Sequence, residues 1–244
     1  MNRVWTIARR ELSSYFATPI AAIFLSIFLI LAGAFTFGLS NFYGSRQADL
    51  QTFFVWHPFL YAFLIPALSM RLWAEERRSG TVELLMTLPI SPGQAVLGKF
   101  LAAWLFAGLA LGLTFPIWLT VNYLGDPDNG TILAGYLGSW LMAGAFLGLG
   151  SLASVLSKNQ VVAFVLSAAL CILFLLFGHP GLIGFLKGWA PQSLVDLVAS
   201  FGFLTHFEGL SKGVIEVPAL IFFVSLTAVC LWVSRVLIER LQAA

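Results

Sequence analysis

Long apolar stretches alternate along this chain with short clusters that hold nearly all of its charges. A helix rises about 1.5 Å per residue and a bilayer's hydrocarbon core is about 30 Å thick, so a charge-free gap of about 18 residues or more is long enough to span. Six such gaps occur: Glu11 to Arg46, Asp49 to Arg71, Lys99 to Asp126, Asp128 to Lys158, Lys158 to Lys187, and Glu216 to Arg235. Each is sized for one helix. Helix punctuation then sets the ends. Thr18-Pro19 reads as an N-cap with proline at the first helical position, and Ser91-Pro92-Gly93-Gln94 adds the glutamine of a capping box. The predicted fold is an all-α integral membrane protein, one domain over residues 1–244, with spans at 19–40, 56–71, 92–121, 131–156, 160–177 and 217–237.

Composition changes the picture in one respect. With 59% hydrophobic residues, 10% charged residues and a mean hydropathy of +0.92, a water-soluble globule is excluded. The net formal charge of +2 is too small for a nucleic-acid footprint, and no nucleic-acid partner is expected. Six spans put both termini on one side. Ten basic residues fall there (Arg3, Arg9, Arg10, Arg71, Arg77, Arg78, Lys99, Lys158, Arg235, Arg240) against Arg46, Lys187 and Lys212 opposite, which predicts cytoplasmic termini. The basic start has the outline of a signal peptide. Glu11 precedes the apolar run, however, and the run is long enough to span and lacks a small-residue cleavage site, so the first helix is expected to stay. Cys171 and Cys230 sit in apolar runs as small packing residues, and no metal-ligand spacing is present.

Outside the spans, a 100° wheel over residues 3–16 gathers Val4, Trp5, Ile7, Ala8, Leu12, Tyr15 and Phe16 on one arc. Arg3, Thr6, Arg9, Arg10, Ser13 and Ser14 lie opposite. Such a helix is expected on the inner membrane surface, although a plain basic topology anchor gives the same pattern. The loop at 72–91 says more. Gly80 or Thr81 can begin a helix that Pro89 stops, about two turns long, too short to span and too apolar for water. Its charges (Glu75, Glu76, Arg77, Arg78, Glu83) and apolar body (Val82, Leu84, Leu85, Met86, Leu88) suit a groove on a cytoplasmic partner or a re-entry turn against the bundle, and spacing does not separate the two. Residues 178–216 form an outer loop too long for a connection and too apolar for disorder, and are read as short interfacial or partly re-entrant helices.

Other features weigh less. Gly209-Leu210-Ser211-Lys212-Gly213 has the letters of a nucleophile elbow without the strand-to-helix context or an acid and base partner. His57 and His179 stand beside prolines at outer helix ends and His206 lies in the outer loop, all three read as structural or interfacial. Gly108 with Gly112 and Gly144 with Gly148 allow close packing inside the bundle or a dimer seam, and Pro66 and Pro116 a static kink or a hinge. The span interiors read as free of charge, which disfavours a self-powered proton antiporter and leaves sodium bound by backbone carbonyls open. No G-x-x-x-x-G-K-[ST] occurs, so the chain is expected to bind no cofactor and to hydrolyse no ATP itself.

Three stretches resemble the permease subunits of type-2 ABC exporters, and within them the gliding-motility branch: RRELSSYFATPIAAIF, EERRSGTVELLMTLPISPGQAVLGKF and HFEGLSKGVIEVPALIFF. The resemblance implies a bacterial inner-membrane protein. It further implies that residues 1–17 with Arg3, Trp5, Arg9, Arg10 and Glu11 form a connecting helix, and that Glu75, Glu76, Arg77, Arg78, Gly80, Thr81, Glu83, Leu84, Leu85 and Pro89 couple to a separate ATPase. Two ATPase copies holding ATP and Mg would work with two permeases, identical or paralogous. His206, Phe207, Gly213 and Glu216 would be outer contacts, with an auxiliary periplasmic membrane-anchored protein as their partner. The implied function is export of an amphipathic or lipid-like molecule. The alternatives are a membrane anchor or mechanical transmitter that passes no substrate, an intramembrane hydrolase using Ser211, and a self-powered carrier.

Overall fold

A computed structural model describes residues 3–40, 42–45, 48–81 and 90–243. Among them there is no strand, and six helical segments are long and apolar enough to cross a membrane: Pro19–Leu39, Gln51–Ser79, Pro92–Leu124, Asn129–Leu156, Gln160–Phe177 and Val217–Leu241. This is the all-helical, six-span class that the charge gaps predict.

Helix α1 (Arg3–Phe16) precedes α2 (Pro19–Gly33), which the π turn Ala34–Leu39 extends to complete the first span. Two short outer helices, α3 (Phe42–Ser45) and α4 (Gln51–Phe54), lead into α5 (His57–Ser69) and then α6 (Ala74–Ser79). The third span is broken into α7 (Pro92–Gly112) and α8 (Phe115–Leu124), where the sequence reads as continuous. Pro116 causes the break: it lacks an N–H, and its ring would collide with the carbonyl of Gly112 in an unbroken helix. The Thr114 hydroxyl bonds the Leu111 carbonyl at 2.6 Å and the Tyr136 hydroxyl at 2.9 Å, which satisfies the joint. Helices α9 (Asn129–Leu156) and α10 (Gln160–Phe177) are the fourth and fifth spans. The outer helices α11 (Pro180–Lys187), α12 (Gln192–Ser200) and α13 (Phe203–Ser211) follow, and α14 (Val217–Ala243) ends the chain.

The caps follow from local chemistry. Ser91 and Gln94 form the reciprocal capping box, at 3.2 and 3.1 Å. Asp128 caps α9 by accepting from Gly130 and Thr131, and these hydrogen bonds hold its carboxyl below the usual value. Thr18 occupies the N-cap position of α2, but its hydroxyl turns back to donate to Tyr15, so proline geometry alone starts that span.

Helix α9 is the hub. It packs against α5, α7, α10, α13 and α14, and 72% of its apolar window is buried, against 67% for the second span and 22–28% for the first, fifth and sixth. Small residues let neighbours approach. Trp104 of α7 and Trp140 of α9 stack at 4.2 Å, 7° from parallel, and each indole N–H donates to the other's backbone carbonyl, at 2.9 and 3.3 Å. A Cβ at Gly108 would lie 2.8 Å from Trp140, one at Gly144 3.0 Å from Trp104, and one at Gly148 3.3 Å from Cys230 of α14. These three glycines therefore serve packing within the bundle. His57 is fully buried, with Nδ1 2.8 Å from Ser139 Oγ and its ring among Phe53, Phe54 and Tyr61, so it is a core residue and not an interfacial one.

Helix α1 is seated on the bundle along part of its apolar arc. Ile7 packs at Gly98 while Tyr15 and Phe16 reach Phe106, so α1 advances in step with α7 and is packed along it. Ile7 and Ala8 are buried there, whereas Trp5 and Phe16, placed on the same arc by the wheel, remain exposed. A Cβ at Gly98 would fall 2.7 Å from Ile7. Gly98→Val is expected to push α1 off α7 and cost about 1–3 kcal/mol by overpacking. A thermal-unfolding midpoint in detergent that does not fall would contradict this account of the α1 seat.

Candidate coupling site

Between α5 and α6 the backbone breaks for a few residues, and a break at a bundle's end leaves backbone groups to be satisfied. Ser154 of α9, itself fully buried, does this. Its hydroxyl donates to the Met70 carbonyl at 2.9 Å and accepts from the amides of Trp73 and Ala74 at 3.0 and 3.1 Å. Arg77 then donates to the Val155 carbonyl at the C-terminal end of α9, where the helix dipole favours a cation. Helix α6 is thereby fixed to the hub helix at two points.

At the centre of this region lies Lys99 of α7, 3% exposed. Its Nζ is 2.8 Å from Glu76 Oε1 on α6 and 3.4 Å from Glu11 Oε2 on α1, and it sits 5.3 Å from the centroid of the buried Trp73 ring. A lone ammonium could not be kept charged in such a place, and two carboxylates from two other elements hold it there. Burial works against the Glu11 carboxylate, but Lys99 and then Arg10 outweigh it and hold its carboxyl below the usual value of 4.5. The reading that every span interior is free of charge is thus corrected: Lys99 is the eighth residue of α7, inside the protein. In the sequence Lys99 counts as a topology charge and as part of the middle stretch that carries the resemblance, and nothing there marks it as buried; its neighbour Gly98, which admits α1, is the available signal.

The remaining residues of the 72–91 loop divide. Arg71 pairs with Glu75 across one turn at 3.1 Å, a half-exposed pair, and Arg78 is exposed. Gly80 ends α6 with φ +71°, a left-handed conformation that a side chain would strain. Thr81 Oγ1 lies 2.9 Å from Ser79 Oγ. Glu83, Leu84, Leu85 and Pro89, with the rest of the short helix the sequence predicts, lie outside the described residues. On α1, Arg9 and Arg10 face out while Glu11 turns inward.

The outer residues are mostly internal. His206 stacks on Phe222 at 4.2 Å and its Nε2 meets the Ser200 carbonyl at 2.9 Å; Phe207 is buried; Gly213 takes φ +85° against Thr131. Glu216 alone of the four is exposed. Ser211 donates to the Glu208 carbonyl at the end of a helix, and no base meets it among the described residues. Among those residues no three His, Cys, Asp or Glu side chains converge as metal ligands would.

Residues 5–240 match the family described as ABC-2 family transporter protein, and the chain belongs to it. Fold and match together define the class: a six-span, all-helical member of the ABC-2 transporter family. Two curated proteins, each described as a probable ABC transporter permease protein NosY, come from Stutzerimonas stutzeri and Pseudomonas aeruginosa PAO1. Each is 32% identical over 127 residues, a match that covers 47% of this chain and 44% of the relative's own length.

Removing the ammonium leaves two partly buried carboxylates facing each other. Lys99→Met is expected to cost about 3 kcal/mol, and Lys99→Met with Glu76→Gln to recover part of it. Because the folded-state pKa of Glu11 is depressed, its contribution is fully present above pH 4.5 and is lost as pH falls through the lower folded value. Glu11→Gln should remove that acid-side loss. Unfolding midpoints measured across pH 3–6 in detergent check both, and identical pH profiles for wild type and Glu11→Gln would contradict the assignment.

Proposed function

We propose that this permease receives the push of a separate, ATP-driven subunit at α1 and residues 72–91, and passes it into the six-span bundle through the Lys99 cluster. One observation supports this above the others: a single buried ammonium joins α1, α6 and α7, so the N-terminal helix and the end of the second span move with the third span as one body. The excess of basic residues on the terminal side supports a cytoplasmic location for this end, where an ATPase would meet it. Exposed Arg9, Glu75, Arg78 and Gly80 would offer the contact, together with Glu83, Leu84, Leu85 and Pro89. In the full assembly two ATPases holding ATP and Mg work with two permeases, and ATP binding shifts the bundles between two arrangements.

The cargo in this reading is an amphipathic or lipid-like molecule entering from the bilayer. A second reading, force transmission without cargo, is favoured by the filled interior: Phe28, Phe53, Phe54, Phe106, Phe146 and Phe203 are all buried within the chain. Placement in the gliding-motility branch rests on the three quoted stretches, and a periplasmic auxiliary partner on the exposed outer loop with Glu216.

The first test is a mild-detergent pull-down of the tagged chain from its native membrane, with mass spectrometry and an ATPase assay. A P-loop ATPase in near-equal amount is expected; its absence under conditions that keep comparable complexes intact would move the reading to an autonomous carrier. In the purified complex, Glu76→Gln is expected to keep the ATPase bound while lowering its stimulation several-fold, and Glu83→Lys or Gly80→Pro to weaken both. Unchanged assembly and unchanged ATPase rate in all three would sink the coupling assignment. ATPase stimulation by added lipid would count against the cargo-free reading.

A further inference from the structure

A groove of about 410 Å³ runs between α7, α9 and α14 on the bundle's outside. Its walls are apolar, among them Leu97, Phe100, Trp104, Val224, Ala228 and Trp232, and its floor is opened by Gly144. One end differs. There Arg235 lies across Gly93, at the N-terminal end of α7, with its Cδ 3.4 Å from where a Cβ of Gly93 would stand. Arg235 Nε donates to Glu239 at 2.8 Å, and the two outer guanidinium nitrogens have no protein acceptor among the described residues. The end of a 21-residue helix adds its partial positive charge at the same place.

We propose that this groove binds one acyl chain of an anionic phospholipid from the leaflet on the side of the chain's termini, with the phosphate at Arg235. Charge chooses the occupant. The groove extends from Gly93 to Trp104 along α7, about 16 Å, and its apolar walls can seat a hydrocarbon chain of about that length. At the charged end, a half-exposed guanidinium that keeps two nitrogens free beside its pair with Glu239, next to a helix N-terminus, is complementary to a phosphate and not to an apolar side chain. Trp232, exposed one turn before Arg235, belongs at the same interface between headgroups and hydrocarbon. The proposal is independent of the coupling reading and of whether the bundle passes a substrate.

Native mass spectrometry of the full-length chain in detergent, titrated with phosphatidylglycerol and phosphatidylcholine of identical acyl chains, tests it. The wild type should retain one phosphatidylglycerol about ten-fold more tightly than phosphatidylcholine. Arg235→Gln should erase that preference while both lipids still bind weakly, and Glu239→Gln, which frees the guanidinium, should increase it. Ala228→Trp, or Val224→Trp should the first fail to fold by circular dichroism, should fill the groove and reduce retention of both lipids. An anionic preference unchanged in Arg235→Gln would overturn the headgroup site, and retention unchanged in the filled variants would overturn the groove. Disulfide crosslinking between two chains through Ala228→Cys in native membranes would assign the surface to a second copy and also overturn it.

Discussion

A buried ammonium is the constraint around which one end of this bundle is built. Placing Lys99 inside the protein is tolerable only with counter-charges at hand, and its own helix supplies none: the carboxylates come from Glu76 and Glu11, on two other elements. Each partner must then be held in place. Glu76 rides on α6, which Ser154 and Arg77 fix to the end of α9, and Glu11 rides on α1, which approaches closely enough because residue 98 is a glycine. Hydrogen bonding, close packing and ion pairing therefore depend on one another, and removing any one weakens the others.

The same dependence makes a stiff connection. Helix α9 is lined with glycine, alanine and serine, and its neighbours seat on it with little slack, as the interlocked pair Trp104 and Trp140 illustrates. Closely packed interiors shift between discrete arrangements more readily than they bend. On the proposed reading, a displacement applied to α6 reaches α9 through Ser154 and α7 through Lys99.

The spans were legible because span length and apolar composition are properties of single segments, and a bilayer imposes both. The Ser91 capping box was legible for the same reason: its two partners lie three residues apart. The ion cluster was not, since Lys99 meets residues 23 and 88 positions earlier, and a charge near a span's start reads equally well as a topology signal. Nor does a helical wheel say what covers an apolar arc. It marked Trp5 and Ile7 alike, yet Ile7 is buried against α7 while Trp5 is exposed. The three histidines illustrate the same limit: His179 caps α11 within two residues of itself, as local sequence allows, whereas His57 is placed by Ser139, 82 residues away, and His206 by Phe222 of the next helix.

Charge and apolarity divide along the bundle's axis, and that division bears on where energy enters. Among the described residues the buried ion pairs lie at the terminal end, while the polar contacts higher in the bundle are between neutral groups, such as Ser139 with His57 and Thr114 with Tyr136. Neutral hydrogen bonds deep in the bundle carry no penalty for an unpaired charge when helices slide. A charged cluster at the end resists separation of its three elements and remains near water, where a docking protein can alter its surroundings. An arrangement that is tied firmly at one end and joined by neutral contacts above transmits a push from that end as a movement of whole helices, which is what a permease driven from outside the membrane requires.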